Sequence, residues 1–593
     1  MKRITALLLF LIIACGLFAQ DPAITTTELK NHISYLASDA LKGRKAGSGD
    51  DLKAALYILN QFKQDGLELM GVGGMQYFEI VANVLPGKNN LLSFQGYSAK
   101  FEKDYVPFMM SESGAATKEM VFVGYGYSID TENLKWNDYA GLDVKDKILL
   151  IFRGNPDIGK DSLFDPYDSF RSKALEAKDK GAAGVIFITP QHMEEKDILD
   201  TTATTMRENS IGIPMILVTR EMADRLLSPA GRDVLTLEKR MNEAKGPASF
   251  PVPASVTVQT DIITRMAKTQ NVIGILRGND PLLKDEYIVA GAHFDHLGMG
   301  GRGSGSRVPD TIAIHNGADD NASGSALLME LAQKLSSVKG QLKRSVIFIA
   351  FDGEEEGLLG SKFFVNNPTV NLKSIKTMFN YDMVGRLDPE KNTLTVSGAG
   401  TSLEGDSILI KEAVGRSFKV NPNKGGLGGS DQTSFYSHDI PVFFFFTGIH
   451  KDYHTPTDDV EKINFPAEKE IGDYAFDVMM DVINRPQSLT FQQAASEKNA
   501  SSGQGRGGMK VKLGIVPDFA STDNNGLGVD GVTPGGPADK GGIKKGDVIK
   551  AINGQQINNI YDYMSRLGKI NPGSKITVEV LREGQKVTLD IQL

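Results

Sequence analysis

Between residues 262 and 485 the chain sets short runs that are apolar at every position among segments of helical period, and few folds accept such runs. "EYIVAGA", "SVIFIAF", "TMFNYDM" and "PVFFFFTG" lack the alternation of a strand with one wet face, so both faces must be covered. Helical segments such as "GSALLMELAQKLSSV" stand between them and supply the cover. The expectation is an α/β unit built on a mostly parallel, doubly wound sheet. In open sheets of this kind ligands bind beyond the carboxyl ends of the strands. What stands at those ends therefore decides what the chain can do.

What stands there is titratable. Six of the eight histidines lie between positions 293 and 454. His293 and Asp295 end "EYIVAGAHFD", Glu354 and Glu355 follow "SVIFIAF", Asp382 ends "TMFNYD", and His454 comes shortly after "PVFFFFTG". Asp319 and Asp320, in "NGADDNASG", precede a helix. The glutamates of "FDGEEEGLLGS" have a local reading as a helix start, with Asp352 as cap, Glu355 closing a capping box, and acid at the positive end of the dipole. Convergence of all these groups on one crevice outweighs that reading. Two histidines with several carboxylates suit zinc, and cobalt or manganese also fit. Two divalent ions balance three ligand carboxylates and one hydroxide, whereas a single ion leaves surplus buried negative charge.

At 593 residues the chain needs several domains. Residues 1–20, "MKRITALLLFLIIACGLFAQ", have the basic start, short apolar stretch and small residues of a signal peptide, and are too short to span a bilayer comfortably. Two readings stay open: cleavage near Ala19 to release an exported chain, and lipidation of Cys15, since "IIAC" resembles a bacterial lipoprotein signal. Residues 21–105 form the N-terminal part of the α/β unit, with two amphipathic helices that bury Leu36, Leu41, Leu52, Ala55, Leu59 and Phe62. Residues 106–261 are β-rich, with one helix at "SFRSKALEAKDKG" and one histidine, His192, and read as an inserted lid or docking module. The α/β unit resumes over 262–485. Residues 486–508 read as a flexible linker, and 509–593 as a compact unit ending in a hairpin. A net charge of -8 offers no basic footprint for nucleic acid.

The blocks "AHFDHLG", "NGADDNASGSA", "DGEEEGLLGS", "NYDMVG" and "YHTPTDDV", in this order, resemble the five signatures of the di-zinc exopeptidase family that includes bacterial leucyl aminopeptidases. The early "LKGRKAGSGD" resembles that family too. Residues 106–261 resemble the protease-associated (PA) domain inserted into such enzymes. The C-terminal unit resembles a PDZ domain through "LGIVPDF" and "GGPADKGGIKKGDVIKAINGQ". The resemblance implies a zinc exopeptidase fold and two Zn²⁺ per chain. Asp320 would bridge the ions, His293 and Asp382 would complete one site, and Glu355 and His454 the other. It further implies hydrolysis by a metal-bound hydroxide with Glu354 as general base. Asp295 would fix the His293 imidazole, Tyr453 would hydrogen-bond the developing oxyanion, and Glu356 would be solvated.

An exported aminopeptidase acting on peptide or protein substrates follows as the leading expectation. A carboxypeptidase or dipeptidase on the same scaffold is the alternative. The other class is a receptor-like binding protein, as in transferrin-receptor-like chains that have lost the metal ligands, although every matched ligand is present here. The PDZ unit would take a peptide C-terminus as an added strand. His296 is expected to line the pocket or support a ligand, and His315, His438 and His450 to be surface or packing residues. Met299 and the loop "GMGGRGSGSRVPD" would border the substrate channel.

Overall fold

The computed structural model describes residues 23–159, 161–199, 209–494, 511–518 and 524–593. The expected signal peptide, with Cys15, lies outside the described residues. Among the described residues no helix is long and apolar enough to cross a membrane.

The α/β unit is built on a nine-stranded sheet. At its centre Ser345–Phe351, Tyr287–His293, Ile375–Tyr381 and Val442–Phe446 run parallel. Antiparallel pairings flank them, from Ile262–Leu276 on one side and Thr393–Ser397 on the other. The parallel part is thus four strands wide within a mixed sheet. Ser345–Phe351 is buried at all seven positions because its two faces feed two cores. Val346, Phe348 and Ala350 meet the helices Thr26–Leu36, Asp50–Gln64, Gly324–Ser337 and Phe465–Asn484, while Ile347, Ile349 and Phe351 meet Leu359–Asn366 and Gln432–Tyr436. Each fully buried Val, Ile or Phe of this kind stabilises by about 1.5–3 kcal/mol. Tyr287–His293 lies between strands that follow it in the chain, so the winding reverses at its edges and a crevice opens beyond its end.

Three expectations need correction, and the helix-start reading of the glutamate run, already outweighed, fails locally as well. Leu52 is exposed, because the buried stripe of its helix runs through Asp51, Ala54, Ala55, Ile58 and Phe62 and Leu52 falls outside it. The inserted sheet starts before residue 106: Leu91–Phe94 pairs with Phe250–Thr260, and Tyr97–Ser98 extends that edge. The expected linker is packed over its first residues, since Leu489 and Ala494 are buried, Phe491 bridges to Ser402, and Thr490 is held by Glu404; residues 495–508 lie outside the described residues. The three glutamates do not start a helix. Residues 353–357 are turns, the helix begins at Leu359, and Asp352 is buried against Thr269 and Gln270.

The insert forms an eight-stranded sheet, and the C-terminal unit a six-stranded one with the helix Ile560–Leu567. These two dock through charge. Arg171 Nη1 donates to Asp562 Oδ1 at 2.6 Å with both side chains buried, and Arg566 pairs with Asp179 at 2.7 Å.

Candidate metal centre

Segments at the ends of all four parallel strands carry the candidate ligands. His293 is the last residue of its strand, and Asp295 follows two residues on. The Asp295 carboxylate accepts from the Glu354 N–H at 3.1 Å and the Glu355 N–H at 3.3 Å, and lies 3.5 Å from His293 Nδ1. One buried side chain thus ties two strand ends together. Asp320 sits after Gly317, whose φ of 57° and crowded position leave no room for a side chain: a Cβ there would lie 2.2 Å from Asp320 O. The Asp320–Asn321 peptide is cis. Asn321 donates to Tyr381 O at 2.9 Å, binding this loop to the strand that ends in Asp382.

The five expected ligands come together. His293 Nε2 is 3.4 Å from Asp320 Oδ1 and 3.5 Å from Asp382 Oδ1; His454 Nε2 is 3.1 Å from both Asp320 Oδ2 and Glu355 Oε2. Asp320 therefore faces both halves. Two trios lie within reach of a shared ion, His293–Asp320–Asp382 and His296–Asp320–Glu355. The second contains His296 in place of His454. His296 Nδ1 meets Glu355 Oε1 at 2.7 Å but stands 3.8 Å from Asp320 Oδ2, whereas His454 is equidistant from the two carboxylates. Equal reach to both favours His454 as the group that shares an ion with them, and the short His296–Glu355 contact is that of a hydrogen bond orienting Glu355.

The electrostatics call for cations. Asp320 Oδ2 and Asp382 Oδ1 are buried and face imidazole nitrogens, His454 Nε2 at 3.1 Å and His293 Nε2 at 3.5 Å. Leaving ionised oxygens so desolvated costs several kcal/mol unless positive charge is supplied. Burial works against charge on His454, yet Glu355 and Asp320 outweigh it and lift the imidazole to about 11. Burial likewise opposes ionisation of Glu355, and His454 and His296 reverse this, drawing the carboxyl down to about 2. Glu354 differs: burial pushes its carboxyl well above the usual range, and its Oε2 stands 4.0 Å from His293 Nε2. The donor set, two imidazoles and three carboxylates of which Asp320 faces both halves, fits zinc-like ions.

Other residues hold this arrangement and escaped the sequence reading. Asp458 accepts from the N–H groups of Asp319 and Asp320 at 3.0 Å each. Arg44, from "LKGRKAGSGD", is fully buried and donates to Leu36 O, Phe294 O, Asn316 O and Gly317 O. Burial pulls its guanidinium down to about 10, so it remains charged at neutral pH. His450, expected as a surface or packing residue, reaches Asp319 Oδ2 at 3.1 Å. His315 packs under the 298–310 loop with Ser306 Oγ at 2.9 Å, and His438 Nδ1 meets Ser434 O at 2.9 Å. The loop itself is pinned to the site: Gly305 O lies 3.2 Å from His454 Nδ1, and Arg307 N–H donates to His454 O at 2.9 Å. Met299 is exposed. Glu356 pairs with Lys45 at 3.3 Å. Tyr453 stacks on the His454 ring at 3.8 Å.

Comparison with known proteins bears on this geometry. Residues 271–479 match the model of peptidase family M28, 116–226 that of the PA domain, and 511–593 that of the PDZ domain. Aminopeptidase YwaD of Bacillus subtilis (strain 168) is 24% identical over 481 residues, covering 77% of this chain and 86% of that protein. An aminopeptidase of Pseudomonas aeruginosa (strain UCBPP-PA14) is 25% identical over 377 residues, 61% of this chain and 59% of that one. The solved structure of BSAP, a zinc aminopeptidase from Bacillus subtilis, aligns with a TM-score of 0.47 at 23% identity, over 80% of this chain and 100% of that chain.

Proposed function

The chain is a metallopeptidase by family, its residues 271–479 belonging to peptidase family M28, and we propose that it is an exported aminopeptidase that releases N-terminal residues from peptides with two zinc ions. The observation that carries this reading is the meeting of His293, Asp320, Glu355, Asp382 and His454 at one crevice, with Glu354 beside them. Relatives named as aminopeptidases support the choice of substrate end.

In this reading His293, Asp320, Glu355, Asp382 and His454 would hold the ions. Bound zinc supplies Lewis acidity for the scissile carbonyl and lowers the pKa of water. Glu354 takes a proton from the attacking water and returns it to the departing amine; its raised carboxyl pKa suits a group that must hold a proton between two steps. Asp295 anchors the Glu354 and Glu355 amides, so the base and its neighbouring ligand keep their separation. Tyr453, packed on His454, donates to the developing oxyanion. Peptides blocked at either terminus test the reading, with and without chelator. Hydrolysis should require a free amine, stop on chelation and return with zinc. Equal cleavage of N-blocked peptides would overturn the aminopeptidase assignment.

A further inference from the structure

The 298–310 loop touches the centre described above through its backbone, and the Arg307 side chain stands beside it. Its guanidinium lies 4.7 Å from the Tyr453 ring centroid, and that ring in turn stacks on the His454 imidazole with centroids 3.8 Å apart and planes 23° from parallel. The cation therefore stands two stacking steps from a candidate ligand. Its backbone fixes it there, because the Arg307 N–H donates to His454 O at 2.9 Å and Gly305 O lies 3.2 Å from His454 Nδ1. Arg302 of the same loop is paired with Asp310. Arg307 is exposed and, among the described residues, makes no ion pair. A guanidinium held over an aromatic face keeps its planar fork of donors free for a carboxylate.

A planar, unpaired cation on the rim of a carboxylate-rich centre serves a substrate with negative charge a short distance from the bond cleaved. One residue of extended chain, roughly 3.3–3.6 Å, together with a charge-assisted contact of about 2.7–2.9 Å, approaches the separation set by the two stacking steps of 4.7 and 3.8 Å. We propose that Arg307 is a specificity residue that binds the free α-carboxylate of the leaving amino acid, and that dipeptides are the preferred substrates of this site. The inference rests on the peptidase reading above and names its substrate class.

The test compares Leu-Gly with its amide, Leu-Gly-NH2, on the zinc-loaded full chain, on Arg307→Ala and on Arg307→Lys. The wild type should favour the free acid by about tenfold in kcat/KM, the worth of one charge-assisted hydrogen bond at a half-open site. Arg307→Ala should bring the ratio near one through KM, and Arg307→Lys should restore part of it. Equal use of acid and amide by the wild type, or an unchanged ratio in Arg307→Ala, overturns the proposal. A wild type that cleaves neither peptide breaks the proposed function and leaves Arg307 to be judged by calorimetric binding of the same pair. There, a free-acid preference removed by Arg307→Ala upholds it, and equal binding overturns it.

Discussion

In the insert, Lys173 is fully buried and fully occupied: its ammonium donates to Phe152 O at 3.0 Å and Gly154 O at 2.5 Å, pairs with Asp168 at 3.4 Å, and lies 4.4 Å from the Tyr127 ring centroid. His192 and Glu238 pair in the same way at 2.7 Å. At the strand ends of the α/β unit, by contrast, Asp295, Asp320, Glu354, Glu355 and Asp382 crowd together, and Asp320 and Asp382 face imidazoles, His454 and His293, rather than a lysine or arginine. Both regions bury charge. Only one gathers five carboxylates around a few imidazoles, an excess of negative charge. Burial of a titratable group is thus a weak pointer to chemistry, and convergence of like charge in excess of its partners is a strong one.

The contrast can be broken by substitution. Glu354→Gln should lower kcat by about 10²–10⁴-fold while metal content, read by atomic absorption, stays at the wild-type level; loss of metal with the rate would make Glu354 a ligand instead. Arg171→Ala leaves the buried Asp562 without its cation and held only by the Asn558 amides, a loss of about 3–5 kcal/mol for such a pair. Faster hydrogen exchange in helix Ile560–Leu567, with turnover of a small chromogenic substrate retained, would mark the insert's charges as structural. Asp458→Ala strips the acceptor from the Asp319 and Asp320 amides and should weaken zinc binding or activity by about 10–100-fold, measured by titration against a competing chelator.

The smallest effect concerns Asp138 of the insert. Burial pushes its carboxyl up to about 7, against the opposing hydrogen bond from the Tyr127 N–H. Between the unfolded value of 3.8 and that folded value the native state binds the proton more tightly, so stability falls as pH rises through this window. Asp138→Asn should flatten that slope. The thermal midpoint of the insert should then drop a few degrees less between pH 5 and pH 8 than in the wild type; equal drops would show that Asp138 is not the group titrating.

The parts legible in the sequence are those with their own chemical signature. Runs such as "SVIFIAF" announce a doubly covered strand, and His293, Asp320, Glu355, Asp382 and His454 announce themselves as polar groups where apolar strands end. Asp458 and Arg44 carry no such mark, because their work is to meet backbone amides and carbonyls brought near only by folding. Gly305 acts through its carbonyl, which every residue possesses. The glutamate run misled locally: its capping pattern is sound, but Asp352 is drawn into the protein by Thr269, and the helix starts later. Leu91–Phe94 falls within the span read as the α/β unit because three apolar residues and Ser93 do not specify which edge they join.

Met75–Pro86 and Ile262–Leu276 pair side by side from Gln76 with Asn271 to Pro86 with Ile262, and the Gly87 N–H donates to Asp261 O at 2.7 Å where they part. The chain thus departs for the insert and comes back at a single gate, like a detour closed by a zip. To the peptidase unit, the roughly 170 residues beyond that gate amount to one long hairpin loop, whose closure cost grows only slowly with length. A stalk of this form lets the excursion be lengthened, exchanged or excised over evolutionary time while the catalytic strands keep their register.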